Sequence, residues 1–550
     1  MANASTSQIK QARQLVKQLI YPERKFIHLA IVYGLAISLL TLAVPIAVQT
    51  LINTVVNIAS VRAVITLAIL LFITLSISGL LSSLRTYVME RYERHIYARL
   101  TADISIRTLM AEHSYFSGRR NVDVPNRYFD INIFQKNIPP LVIDGFALCL
   151  QLIVGFTLVS FYHPMFMAFC LLVVFCLYLI WSFWSRQAID SALEISHKKY
   201  ATAKWLGDIA TAHSFFKSGS HIDYAREKTD QSTRLYIRAH ERHFKYTFTQ
   251  YIALLLLYAA ASSGLLGLGG YLVVQGQLSI GQLVAAELIL TAIFFGLSQA
   301  SSYLKLYYEL CGAADELGIV LDIPLNSDMS SEKTLEPQSG LLTFNQVQLS
   351  NETCMYELDF DIPESAKVFI TTEQAWLKRE FITLFHAYDT PGKGRVRLGE
   401  YDLTEYKKLQ FNNPPVSVIN RSPIIECTIQ EFMKLSAPNA SFADIQDAVM
   451  KVGIEDVIYN LKDSWDTKLS VLGAPLQPTQ FVLLKVAAAL LYQPKVILFT
   501  QNFDNLSHKE RTNLLLMLNE QPFSVLYFTN HPEFEAFDFC LDLDKLRSPL

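Results

Sequence analysis

The chain has 550 residues, enough for three or four domains at roughly 100–200 residues each. Apolar residues make up 51%, charged residues 18%, and mean hydropathy is +0.25, which excludes a disordered chain and an ordinary water-soluble enzyme. The net charge of −3 gives no overall basic field for nucleic acid. Seven scattered cysteines with no CxxC pair argue against a disulfide framework or a zinc site, and suit a reducing compartment for the non-membrane parts.

Residues 1–25 form an amphipathic leader. Ser7 to Arg24 reads as a helix lying on a membrane surface, with Lys10, Arg13 and Lys17 on its polar side. It lacks the layout of a cleavable signal peptide, since the first apolar run starts only at Phe26.

The apolar residues then come in blocks. Lys25 and Arg62 bracket 36 residues without Asp, Glu, Lys or Arg, and Arg62 and Arg85 bracket another 22. Gly145–Ser185 and Tyr246–Ala286 are uncharged runs of 41 residues each. A membrane-spanning helix needs ~20 apolar residues, so runs of twice that length with a central turn read as helical hairpins. Six spans are expected in a domain over 26–323, near 27–51, 64–86, 140–162, 165–186, 249–273 and 282–304. Lys and Arg concentrate in the leader, between spans two and three, and between spans four and five, while the turns at His163-Pro164 and Gln275–Ser279 carry none. By the bias of basic residues toward the inner side, both termini and both long loops are cytoplasmic, in a bacterial-type inner or plasma membrane. Those loops have few Pro or Gly, so their helices are expected to run on beyond the bilayer.

Two ionisable residues fall at the ends of spans. Asp144 lies near the cytoplasmic start of span three, and Glu287 lies in the first turns of span six. Charges there are costly and often functional, so both are candidates for a transport pathway; solvation at the interface for Asp144, and interhelical packing for Glu287, are the structural alternatives.

Six spans with long helical extensions in pairs two–three and four–five resemble the membrane domain of exporter-type ABC transporters. Gly270-Tyr-Leu-Val-Val-Gln-Gly-Gln-Leu-Ser-Ile-Gly-Gln-Leu-Val-Ala285 is similar to that family's link between its last two spans. His113–Arg120 and Trp205–Phe216 stand where the family has its coupling segments.

After a polar linker over 324–340, residues 341–550 change to short strands and helices, the pattern of an α/β domain. Phe360–Ile370, Tyr388–Leu403 and Leu484–Phe499 resemble the family's nucleotide-binding domain, a P-loop-NTPase-like fold, so the resemblance runs over about residues 8–546. Its chemistry is missing. A phosphate loop needs glycines, a Lys and a hydroxyl, so that N–H groups, an ammonium and Mg²⁺ meet phosphate oxygens. The matching stretch is Thr372-Glu-Gln-Ala-Trp-Leu-Lys-Arg-Glu380, in which only Lys378 is in place. The resemblance puts Arg421 at the metal-contacting glutamine, and leaves Leu476 and Gln480 as remnants of the signature, written here Leu-Gln-Pro-Thr-Gln. Thr500 and Gln501 stand at the metal-binding acid and the general base. Asn530 stands at the switch histidine, with His531 one place beyond. Residues 341–550 hold five glycines, none of them in the three stretches that should wrap phosphate.

No intact catalytic set, no metal site and no required cofactor are therefore expected, with Lys378 as the one remnant through which ATP and Mg²⁺ could still be held. The resemblance implies a lipid-embedded transporter half, paired as a homodimer or as a heterodimer with a competent ATPase half. The alternative is a non-transporting membrane scaffold or regulatory subunit that reuses the fold for protein contacts.

Overall fold

A computed structural model of the chain describes residues 2–41, 43–57, 61–116, 121–325, 337–351, 354–386, 392–406, 415–530, 532 and 537–548. It divides into two compact units, Met1–Ala111 with Tyr115–Pro324, and Leu325–Leu550 with Glu112–Ser114.

Short turns aside, the first unit is built of α1 (Ala2–Ile20), α2 (Arg24–Thr41), α3 (Ala43–Asn57), α4 (Val61–Leu109), α5 (Ile131–Pro140), α6 (Phe146–Ser160), α7 (Pro164–Thr211), α8 (Gly219–Val274) and α9 (Ile280–Leu321). Among the described residues six stretches are long and apolar enough to cross a membrane: Ile9–Ile52, Val61–Leu109, Val124–Ser160, Pro164–Thr211, Gly219–Val274 and Ile280–Leu321. On α4, Ile69, Leu70 and Phe72 are all more than half exposed, a face suited to hydrocarbon rather than water. Helices α4, α7 and α8 run unbroken for 49, 48 and 56 residues. At ~1.5 Å per residue, each is roughly 70–85 Å long, well over twice the ~30 Å of a bilayer core, as expected for helices that run on past the membrane.

The hairpin turns follow from local chemistry. At the end of α8, Gly276 takes φ +68°, and the N–H of Gln277 reaches back to the Leu272 carbonyl at 3.0 Å. Ser279 and Gln282 then cap α9 reciprocally, at 2.9 and 3.1 Å. Before α7, His163 Nδ1 accepts from the N–H of Met165, and Pro164 occupies the first helical position.

The leader departs from expectation. α1 is a helix with Lys10, Arg13 and Lys17 on its exposed side, but its stripe of Ile9, Ala12, Val16 and Leu19 is buried in protein. It docks on α9, where Gly318 leaves room for Leu15: a Cβ there would stand 2.6 Å from Leu15 Cδ1. Amphipathicity was legible from the sequence, but it does not distinguish lipid from a neighbouring helix as the apolar partner. The elbow after α1 is fixed by Glu23, 2% exposed, which accepts from Arg99 Nε and His95 Nδ1 at 2.9 Å each.

Pro139 and Pro140 end α5, and a single π turn, Leu141–Gly145, joins it to α6. Two prolines in a row withdraw two N–H donors from the helical ladder, and a widened turn absorbs the mismatch. Asp144 lies in this turn and is exposed.

In the second unit, a parallel sheet in the order β11-β3-β10-β9-β6 forms the centre: β3 (Lys367–Thr371), β6 (Val416–Ile419), β9 (Val496–Phe499), β10 (Ser524–Phe528) and β11 (Phe539–Asp542). Strands β9 and β10 are buried throughout, as a strand covered on both faces must be. An antiparallel sheet, β12-β2-β1-β4-β5, adds β1 (Leu342–Ser350), β2 (Met355–Ile362), β4 (Lys393–Leu398), β5 (Tyr401–Asp402) and β12 (Arg547–Ser548). α10 (Ala375–His386) follows β3. A helical layer of α11 (Ile429–Ser436) and α12 (Phe442–Lys451), with the small β7–β8 pair (Cys427–Thr428, Lys468–Leu469), sits between β6 and α13 (Pro478–Tyr492), and α14 (His508–Asn519) precedes β10. Most of the linker expected over 324–340 lies outside the described residues.

Candidate functional site

The parallel sheet delivers the candidate residues to the ends of β3, β9 and β10. Only Thr372, Glu373 and Gln374 separate β3 from α10. The helix starts this early because Leu377, Phe381 and Leu384 recur at helical spacing and are buried together under the sheet. As a result the Lys378 N–H is spent inside the chain, on the Gln374 carbonyl at 3.1 Å. Trp376 lies against Tyr356 of β2, ring centres 5.7 Å apart. The three-residue connection is itself tied: Thr372 Oγ1 and the Glu373 N–H donate to the two carboxylate oxygens of Asp544 at 3.0 and 2.7 Å, and the Gln374 N–H donates to Thr372 Oγ1 at 3.1 Å.

Lys378 points its ammonium at Gln501 Oε1, 2.5 Å away, and sits 5.6 Å from the centre of the Phe528 ring. Burial pushes its pKa below the ordinary lysine value, and the Asp504 carboxylate works against that. Thr500, 8% exposed, gives its hydroxyl proton to the Ile419 carbonyl at 3.3 Å and accepts from Asn502 Nδ2 at 3.0 Å. Asp504 is the hub that sequence reasoning missed. It accepts from Tyr527 Oη at 2.6 Å, Thr529 Oγ1 at 2.8 Å and the N–H of Asn530 at 3.2 Å. A signal was present: it is the one carboxylate within three residues of Gln501 on the short 3₁₀ turn Gln501–Asn505. The fold thus gathers Lys378, Thr500 and the Asn530 backbone around Gln501 and Asp504. His531 lies outside the described residues.

The other predicted positions stand apart. Arg421 is exposed, and among the described residues it has no hydrogen bond or ion pair. Leu476 is 6% exposed in the core of the helical layer. Gln480 caps α13: its side chain accepts from the Gln477 N–H at 2.9 Å, and Pro478 has no N–H to offer. In the first unit, Glu287 Oε1 accepts from Thr291 Oγ1 at 3.3 Å, while Oε2 is buried without a hydrogen-bond partner. Among the described residues Glu287 and Asp144 share no hydrogen-bond partner. Among the described residues no cluster of three or more His, Cys, Asp or Glu is placed to hold a metal ion.

An anion arriving at the end of β3 would have to displace Gln501 from Lys378. A divalent cation at the end of β9 would meet the Thr500 hydroxyl, already committed to a backbone carbonyl, where an ionised carboxylate is needed.

Residues 27–298 match the ABC transporter transmembrane region. The leukotoxin export ATP-binding protein LtxB of Aggregatibacter actinomycetemcomitans is 22% identical over 445 residues, which are 80% of this chain and 62% of that protein. The alpha-hemolysin translocation ATP-binding protein HlyB of Escherichia coli is 22% identical over 432 residues, 77% of this chain and 60% of its own length. The chain therefore spans about three fifths of the curated relatives it matches. A bacterial Atm1-family ABC exporter, solved with ATP bound, superposes with a TM-score of 0.79 over 95% of this chain and 94% of that one, at 16% identity. The shared feature at that identity is the fold.

Proposed function

Taking as premise a chain of the ABC exporter type, we propose that it is the membrane subunit of a transporter whose own α/β unit does not hydrolyse ATP. The chain pairs with a second half, either another copy or a competent ATPase half, and moves its substrate through the paired spans. Its α/β unit serves as a fixed structural partner on the cytoplasmic side.

One observation carries this reading: the ammonium of Lys378 is held by Gln501 at 2.5 Å, with Thr500 buried beside it in place of an acid. Phosphoryl transfer depends on positioning and on charge stabilisation by a lysine, a metal and a residue that orients water. Here the lysine is engaged, no carboxylate stands where the metal acid belongs, and the Gln501 Oε1 that would orient water is taken by the Lys378 ammonium. ATP and Mg²⁺ do not fit such a site.

A second reading, a membrane scaffold that does not transport, draws on the ends of α10 and α13. The connection into α10 is tied to Asp544, and α13 is capped by its own Gln477 and Gln480.

The two readings separate on co-purification followed by titration. A tagged chain that brings down a membrane ATPase half of its own size, or reconstitutes transport with one, supports the transporter subunit. A chain that binds neither itself nor such a half, or that binds Mg-ATP at micromolar concentration by calorimetry, contradicts it.

A further inference from the structure

The second unit crosses between its parallel sheet and its helical layer twice. The chain leaves β6 at Ile419 and reaches α11 through residues 420–428, and it returns from β8 through residues 470–477 into α13. Two crossings side by side are the geometry of a hinge, because a few loop residues there absorb any rotation of one layer against the other.

Both crossings are tied. The Ile424 N–H donates to the Val471 carbonyl at 2.9 Å, joining the outgoing crossing to the returning one. Lys485, on the second turn of α13, then donates to three oxygens of the outgoing crossing: the Asn420 carbonyl at 3.0 Å, the Ser422 carbonyl at 2.7 Å and Ser422 Oγ at 3.2 Å. An ammonium has three N–H donors, and one short loop takes all of them. The ring of Phe481, one turn earlier, lies 4.8 Å from the same nitrogen. Phe481 also packs on Gly473 of the returning crossing, so closely that a Cβ at 473 would fall 2.3 Å from its ring. Helix, outgoing loop and returning loop form one packed joint.

We infer that Lys485 is a positioning residue that locks this joint, so that the sheet and the helical layer of this chain move as one body with or without nucleotide. Stability alone does not account for a lysine here. Burial pushes its pKa down to about 8, so the folded chain disfavours the charge, and an apolar side chain of equal length would fill the space without that penalty. What an apolar side chain cannot supply is three directed bonds to one loop.

Hydrogen–deuterium exchange of the full-length protein in lipid nanodiscs tests this. In the wild type, amides of 420–426 are expected to exchange slowly, and equally with and without Mg-ATP. Lys485→Met is expected to speed their exchange roughly tenfold or more, as local opening replaces a held loop. The β9 and β10 amides should stay protected, and the melting temperature should be unchanged or raised. Lys485→Gln, which keeps two donors, should fall between the two. The inference is overturned if Lys485→Met leaves 420–426 protected, if exchange rises equally in β9 and β10 with a lower melting temperature, or if Mg-ATP adds protection to the wild-type loop. None of these readouts depends on transport, so the lock can fail while the transporter reading stands.

Discussion

At the scale of single residues, the α/β unit brings Lys378, Thr500 and Gln501 together, and the proposal is that these positions no longer serve a nucleotide. Lys378, which the resemblance matches to a phosphate-loop lysine, turns its side chain to Gln501, which the resemblance matches to the general base. Restoring the acids alone is therefore expected to fail: Thr500→Asp with Gln501→Glu should give no ATP hydrolysis in a phosphate-release assay, because the helix still begins at Ala375 and groups that act as a unit do not add. Gly473 sets a second test. With φ +88° and the Phe481 ring against it, Gly473→Ala should lower the stability of the unit by about 1–3 kcal/mol, read from its denaturation midpoint. The half-buried Lys485 of α13 gives a pH test. Its folded pKa, about 8, lies below that of the unfolded chain, ~10.4. Between those values the unfolded chain binds more protons, so stability should rise with pH across that window and be flat just below it. Thermal melts from pH 7 to 10 should show the rise in the wild type and a shallower one in Lys485→Met. The chemical types at these positions could be read from the sequence. Asp544 could not, because its importance lies in what it touches across 171 residues of chain, whereas Asp504 stood three residues past Gln501 as a local signal that the motif comparison passed over.

Among whole elements, the membrane spans were the most legible, since uncharged runs of 41 residues leave few alternatives, and the hairpin turns at His163-Pro164 and Gly276 followed from their capping chemistry. Two elements were not. The π turn at Leu141–Gly145 depends on how the helix recovers after Pro139-Pro140, which hydropathy does not record. The partner of α1 depends on the small residue Gly318, 303 positions from the Leu15 it seats. Replacing that glycine should release the leader: Gly318→Leu is expected to expose α1 to limited proteolysis between Lys10 and Lys17 while α4 and α9 stay intact. Unchanged cleavage would mean that the other buried residues of α1 hold it without that seat.

For the whole molecule, the proposed pairing of halves requires a second chain beside these spans. A dimer by mass photometry in nanodiscs is expected, with its yield the same with and without Mg-ATP; a monomer, or a dimer that forms only with nucleotide, would count against pairing of this kind. The central claim is that this chain has the ABC exporter fold without its ATP chemistry. The direct measurement is Mg-ATP hydrolysis by the purified wild-type protein in nanodiscs, beside Lys378→Met. The account predicts release of phosphate indistinguishable from empty nanodiscs for both proteins. Mg²⁺-dependent turnover that the wild type shows and Lys378→Met loses would contradict it.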